Sequence, residues 1–370
     1  MITSFIKIIN IEKLIYLKLF IFSLILAYIF SLIIKKIAIY FKILDVPDKE
    51  RKIHKEAVPL LGGLAIFFSF FISLFLVRAQ LVSGNLNYHH WLGFFLGALI
   101  LMIGGFLDDK YNLSPGKQII FPIIASFLVI LGGVNIEKIT NPFGGYFYLD
   151  FLHINLGHIG NFFLSFNVLS ALLIFLWLMG ISYTTKILDG LDGLVSGITA
   201  IGAFIIFLFT ISEQYYQGDI ALASIILFGA SLGFLILNFY PAKIFLGEGG
   251  SLFLGFSLGV LAIISGGKIA IALLIMGIPI LDLFWSILRR SFSGRNPFKT
   301  GDRRHLHFRI FDLAKSQKKA VLTYYFLSAL FGFSALFLQS RGKIFALGVL
   351  VIVMLLIIFI LNYFEKEKNA

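Results

Sequence analysis

Eleven apolar runs near 20 residues long constrain this 370-residue chain more than any other feature. They cover approximately Leu14–Ile34, Leu60–Val77, Trp91–Leu107, Ile119–Val134, Phe162–Tyr183, Leu194–Ser212, Ile220–Phe239, Ser251–Ser265, Ile269–Leu288, Val321–Leu338 and Ile344–Tyr363. A helix of roughly 20 apolar residues crosses the hydrocarbon core of a bilayer. The expected fold is therefore all-α: a polytopic integral membrane protein with about eleven transmembrane helices. The run that follows the lysine-containing start is too long for a cleaved signal and has no small-residue cleavage site, so it is read as a retained first span.

The net charge of +12 would point to nucleic acid in a soluble protein, but in a membrane protein the basic residues must first be sorted by side. Alternating the runs places 23 of the 31 Lys and Arg on one set of loops and ends, chiefly Lys35 to Lys55 and Arg289 to Lys319. The positive-inside bias makes that set cytoplasmic, with the N-terminus outside and the C-terminus inside. The expected location is the cell membrane, with no nucleic-acid partner. The absence of cysteine excludes disulfides, thiolate nucleophiles and cysteine-ligated metals.

No repeat or low-complexity linker divides the sequence, so one domain over residues 1–370 is expected, with its polar motifs within residues 51–309. The long connection from Asn135 to Asn161 holds Asn-Pro-Phe-Gly-Gly followed by Tyr-Phe-Tyr-Leu-Asp, a turn and then a short strand or hairpin.

The dense polar motifs all fall on the basic side. Asp108-Asp109 follows the third run, and Asp189 and Asp192, in Ile-Leu-Asp-Gly-Leu-Asp-Gly-Leu, precede the sixth. Asn238 ends the seventh run, Gly247-Glu248-Gly249-Gly250-Ser251 precedes the eighth, and Asp302-Arg303-Arg304-His305-Leu306-His307 lies between the ninth and tenth. Carboxylates that hold a hard cation, glycines that admit phosphate to backbone N–H groups, and basic side chains that offset charge together suit a Mg²⁺-bound diphosphate. Zinc would want more His or Cys at close spacing.

Taken singly, each motif has a plainer reading. An Asp pair at a helix end serves as a solvated cap. Asp189 and Asp192, at i and i+3, share a face at a helix start and suit its dipole. His305 and His307 fit an interface with anionic lipid, and Arg289 and Arg290 suit membrane-edge anchors. Asp282 lies inside an apolar run, where an acid is functional by default, with an arginine partner as the structural alternative.

Together these residues resemble the polyprenyl-phosphate N-acetylhexosamine-1-phosphate transferase family, the MraY/WecA-like group of glycosyltransferase family 4. The resemblance is carried by Arg51-Lys52-Ile53-His54 with Pro59-Leu60-Leu61-Gly62-Gly63, by Asp108-Asp109 with Lys117, and by Leu188 to Gly193. It continues through Asn238-Phe239-Tyr240-Pro241-Ala242 and Phe245 to Ser251, Ile278-Pro279-Ile280-Leu281-Asp282, and Asp302 to His307. Six motifs in the family's order are highly specific.

The resemblance implies transfer of a sugar 1-phosphate from a UDP-N-acetylhexosamine to polyprenyl phosphate with release of UMP. It implies a catalytic set of Asp108, Asp109, Asp189, Asp192, Asn238, His305 and His307. Substrate contacts would come from Lys117, Lys186, Phe245, Gly249, Arg303, Arg304 and Asp282, with Phe245 stacking on uracil. Mg²⁺, or Mn²⁺ in its place, would be held by Glu248, Asp108 and Asp109. The partners implied are a polyprenyl phosphate lipid and a UDP-sugar, with a homodimer left open. Three positions depart from the family pattern: Glu248 stands where an Asp is usual, Lys186 where Asn is common, and Phe308 where a further His is frequent. The Asp-Arg-x-His-x-His form is closer to the WecA-like branch than to the muramoyl-pentapeptide transferases, which are the alternative. A lipid-linked sugar transporter or a non-catalytic binder is the alternative of another class, but a transporter would place its polar groups at mid-membrane in repeated halves.

Overall fold

A computed structural model of the chain describes residues 2–47, 56–82, 84, 86–141, 144–149, 152–159, 162–265, 269–292 and 304–369. Among these the architecture is nearly all helical. The order is α1 (Ile2–Tyr40), β1 (Leu44–Asp45), β2 (Val58–Pro59), α2 (Gly63–Leu76), α3 (Tyr88–Tyr111), α4 (Pro115–Gln118), α5 (Ile120–Leu131), β3 (Lys138–Thr140), β4 (Tyr146–Tyr148), β5 (His153–Ile159) and β6 (Phe162–Asn167). Then follow α6 (Val168–Leu188), α7 (Leu194–Thr210), α8 (Gly218–Asn238), α9 (Gly247–Ile264), α10 (Ile269–Ile275), α11 (Gly277–Phe292), α12 (Leu306–Ala314), α13 (Gln317–Phe337) and α14 (Ser340–Asn369).

Among the described residues, seven helices (α1, α3, α6, α8, α9, α13 and α14) are long and apolar enough to cross a membrane, and α10 with α11 makes an eighth candidate. Shorter apolar helices cover Gly63–Leu76, Pro115–Leu131 and Leu194–Thr210. The runs expected to be spans are thus largely helical, but by length and composition seven or eight of the eleven qualify.

Two runs are not the unbroken helices their hydropathy suggests. Phe162–Asn167 is strand β6, paired antiparallel with β5 from His153↔Asn167 to Ile159↔Phe162. Aromatic residues suit a pleated surface once a partner strand is present, so α6 starts only at Val168. The connection between α5 and α6 carries this hairpin and a second, β3–β4, in agreement with its turn-rich sequence. The ninth run bends by 79° between α10 and α11. Pro279 has no N–H to donate to the preceding turn, so the helical ladder stops and restarts with Pro in a first turn, where it is tolerated.

The core centres on α9. Within its apolar window 89% of residues are buried, against 28% in α1 and α14, whose exposed Ile25 and Leu355 mark the periphery. Phenylalanines of α2, α3 and α9 interlock around it: ring centroids are 5.7 Å apart for Phe70–Phe94 and for Phe67–Phe253, and 5.9 Å apart for Phe94–Phe256. Such aromatic pairs contribute about 0.5–1.5 kcal/mol each beyond their buried area. In lipid, where helices gain no hydrophobic drive to associate, this close packing carries much of the assembly.

Candidate active site

The site forms where α3, α6 and α8 end and α7 and α9 begin. Asn112, in the left-handed conformation with φ 55°, closes α3, and Asp108 and Asp109 sit in the last turn. Gly105 on α3 lies directly against Gly249 on α9, where a Cβ would collide with the Gly249 backbone. With no side chains between them, the end of α3 meets the start of α9. Oδ1 of Asp109 accepts the backbone N–H of Glu248 at 3.0 Å, a carboxylate placed at a helix N-terminus where the dipole favours it. Gly249, a candidate substrate contact, is buried in this helix crossing.

A relay of polar side chains runs on from Asp108. Its Oδ1 accepts from the Leu113 N–H at 2.8 Å and from Nε2 of Gln118 at 2.9 Å. Oε1 of Gln118 accepts from Nζ of Lys186 at 2.8 Å, and Nζ is ion-paired with Glu248. Asp108, Gln118, Lys186 and Glu248 thus form one connected chain. Sequence reasoning passed over Gln118, whose signal is its position beside Lys117 in the Pro115–Gln118 turn. Lys117 itself is exposed on that turn.

Asp189 caps the C-terminus of α6, and the loop then turns through Gly193, whose φ is +79°, into α7. Although Asp189 is accessible to solvent, protein surrounds it on most sides. That desolvation, together with the charges of Glu248, Asp109 and Asp192, holds its carboxyl well above the usual range. Oδ2 of Asp192 accepts the Ala242 N–H at 2.9 Å. Asn238 is buried, accepting from Ser196 Oγ at 2.8 Å and donating to the Ile244 carbonyl at 3.0 Å, so it braces α7 and the α8–α9 connection. Phe245, half-buried in that connection, lines a cleft of about 960 Å³ with Asp192, Tyr240, Lys35, Lys243 and Lys315.

Asp282 reaches the remaining motif from inside α11. It is 5% exposed, and its two oxygens engage the Leu306 N–H at 3.0 Å and Nδ1 of His305 at 3.2 Å. His305 and His307 are near parallel, with ring centroids 5.8 Å apart. His307 is fully buried under the Asp189–Asp192 loop: a Cβ on Gly190 would meet its Nε2 at 2.7 Å. Burial pushes its imidazole down to about 3, so His307 is neutral at neutral pH and adds no positive charge to the site. Arg304 is exposed at the start of this segment. Arg303, Asp302 and the segment Arg51 to His54 lie outside the described residues.

As donors, Asp108, Asp109 and Glu248 offer the hard oxygens that Mg²⁺ prefers. Asp109 reaches the Glu248 backbone, and both Asp108 and Glu248 connect to Lys186, so the three acids face one small region. One oxygen of each acid is engaged by a protein donor, and among the described residues no three His, Cys, Asp or Glu are gathered in metal-binding geometry.

The profile of glycosyl transferase family 4 matches residues 91–266, the stretch from α3 to just past α9. A Bacillus subtilis protein named probable undecaprenyl-phosphate N-acetylglucosaminyl 1-phosphate transferase is 32% identical, covering 91% of this chain and 90% of its own length. A decaprenyl-phosphate N-acetylglucosaminephosphotransferase of Mycolicibacterium smegmatis is 28% identical over 88% of this chain and 83% of its own. A phospho-N-acetylmuramoyl-pentapeptide-transferase of Oceanobacillus iheyensis is 31% identical over 79% of this chain and 86% of its own. With similarity of this extent carried through the helices that build the acidic cluster, the chain belongs to glycosyl transferase family 4.

Proposed function

We propose that this protein transfers N-acetylhexosamine 1-phosphate, with N-acetylglucosamine as the leading sugar, from its UDP donor to polyprenyl phosphate. The reading rests on the joining of Asp108, Asp109, Lys186 and Glu248 at one end of the bundle, in a chain whose relative over 91% of its length is named for this reaction. A phosphate oxygen of the lipid attacks the β-phosphorus of the UDP-sugar, the bond to the bridging oxygen breaks, and UMP leaves with that oxygen. The products are UMP and a polyprenyl diphosphate sugar. A phosphomonoester with a second pKa of about 6 is already mostly dianionic at neutral pH, so no strong base is needed. Positioning and charge neutralisation carry the catalysis.

In this reading Asp108, Asp109 and Glu248 would hold Mg²⁺, which would supply positive charge to the diphosphate. Lys186 and Arg304 bind phosphate oxygens, and Phe245 offers a face to the uracil. Asp282 and Asn238 keep the surrounding segments in register. In this reading the site lies on the cytoplasmic face of the multi-span bundle, the side that 23 of the 31 basic residues favour. Lipid phosphate, anchored at that interface, reaches the acids without leaving the membrane.

The test is UMP release by detergent-purified protein given undecaprenyl phosphate, Mg²⁺ and a panel of UDP-sugars that includes the muramoyl-pentapeptide nucleotide. UDP-N-acetylglucosamine is expected to be consumed. Asp109→Asn, which keeps an acceptor for the Glu248 N–H, is expected to cost at least about a hundredfold in kcat. Silence of folded protein across the panel refutes the reading. Turnover of the pentapeptide nucleotide alone reassigns the donor.

A further inference from the structure

Lys186 and Glu248, two of the three departures from the family pattern, meet in space. The α6 and α9 helices run antiparallel and approach closely through Gly255 and Gly259. A Cβ on Gly255 would lie 2.6 Å from the Ile181 carbonyl oxygen, and Nε1 of Trp177 donates to the Gly259 carbonyl at 3.1 Å. This register sets the last turn of α6 opposite the first turn of α9. The Lys186 ammonium falls on the Glu248 carboxylate, with side-chain exposures of 21% and 17%. Gln118 holds the ammonium from a second side at 2.8 Å, and the Tyr183 ring lies 5.5 Å from it.

The pair is mostly enclosed, so each charge is costly without the other. An oxygen committed to an ammonium is not free for a dication, and an ammonium at that distance repels one. A shorter Asp side chain with a neutral partner would leave the carboxylate open. We propose that Lys186 is an intramolecular counter-ion that competes with the divalent cation for Glu248, so that metal binding requires the ammonium to give up this carboxylate. Lys186 then sets metal affinity and keeps the metal-free site neutralised, in addition to the phosphate contact proposed above. The proposal rests on the reading of Glu248 as a metal ligand.

The experiment is a Mn²⁺ titration of the detergent-purified full chain without substrate, read by the free-Mn²⁺ electron paramagnetic resonance signal, with thermal midpoints measured with and without Mn²⁺. Lys186→Asn is expected to bind Mn²⁺ about tenfold more tightly than wild type or better, and to have a lowered midpoint that Mn²⁺ restores. Lys186→Arg should retain wild-type affinity. Adding Glu248→Gln to Lys186→Asn should remove the gain. Lys186→Gln, run in parallel, preserves the comparison if one variant fails to fold. Unchanged or weaker Mn²⁺ binding in the folded Lys186 variants, or no binding by any variant, overturns the proposal. Because no donor or lipid is present, this result is independent of a silent UMP assay.

Discussion

Nδ1 of His305 lies 3.2 Å from Oδ2 of Asp282, while Oδ1 of the same carboxylate accepts the Leu306 N–H at 3.0 Å. A single side chain of α11 therefore fixes both the histidine and the backbone that leads into α12. A carboxylate only accepts, so Nδ1 of His305 is the donor in this contact. Asp282 thus acts at one remove, by orienting His305. Ser286 stands beside the same ring nitrogen, with its Oγ 3.3 Å away.

Replacing Asp282 separates charge from acceptor. Asp282→Ala is expected to lower kcat about tenfold to a hundredfold with little change in KM for the UDP-sugar. It should also lower stability by about 1–3 kcal/mol, because the buried Leu306 N–H loses its partner. Asp282→Asn, which still offers Oδ1, should keep most of the stability and lose the His305 orientation. Steady-state kinetics and thermal unfolding in detergent check both. Equal behaviour of the two variants would contradict the division of labour between the two oxygens.

Gln118 supports Asp108 and Lys186 at once, and neither contact survives its truncation. Gln118→Ala is expected to reduce kcat by about tenfold, the size of a lost supporting hydrogen bond where Asp108 holds the proposed metal. The folded state should be little affected, because the residue lies in a short surface turn. An initial-rate series against UDP-sugar decides the matter. An unaltered kcat would remove Gln118 from the site.

His307 and Asp189 should give the protein opposite pH responses. The unfolded imidazole titrates at 6.5, whereas burial holds the folded one down to about 3. As pH falls below 6.5, the unfolded chain takes up a proton that the native chain refuses, and stability is lost. The loss approaches about 1.4 kcal/mol per pH unit between these two values. Asp189, raised by the protein packed around it and by its acidic neighbours, works in the opposite direction: stability is lost as pH rises above 3.8, by an amount that solvent screening reduces at this accessible position. Thermal midpoints of wild type and His307→Asn from about pH 7 to about pH 4.5 are expected to diverge on the acid side, with wild type falling more steeply. Parallel curves would refute a neutral, buried His307.

The connection between α1 and α2 shows how short extended segments serve the site. Leu44–Asp45 pairs with Val58–Pro59, and the Pro59 carbonyl accepts the Phe245 N–H at 2.8 Å. The Gly62 N–H returns a bond to the Phe245 carbonyl at 2.9 Å. Phe245 is thereby held between two backbone contacts at the rim of its cleft.

Hydropathy determined the helices, because the need to bury or solvate a side chain is a property of each local run and is written in its composition. Alternation of those runs also placed Asp108, Asp109, Asp189, Asn238 and Glu248 at a common end, since antiparallel neighbours must return to the same side. What hydropathy could not register was the pairing of distant strands. Phe162–Asn167 is as apolar as a helix start, and only β5 makes it a strand. Nor did composition distinguish a bent run from a straight one at Pro279. Within the site, residue types alone marked the acids and the histidines as chemistry, but their contacts depend on helix rotation and on how nearly two backbones approach. The tertiary structure alone decided that Gln118 joins Asp108 to Lys186, that Asp282 serves His305, and that His307 is buried and neutral. It also set Lys186 against Glu248. Gly105 and Gly249 let α3 touch α9, and Gly255 and Gly259 let α6 approach it, and no local run of sequence encodes which nitrogen then meets which oxygen.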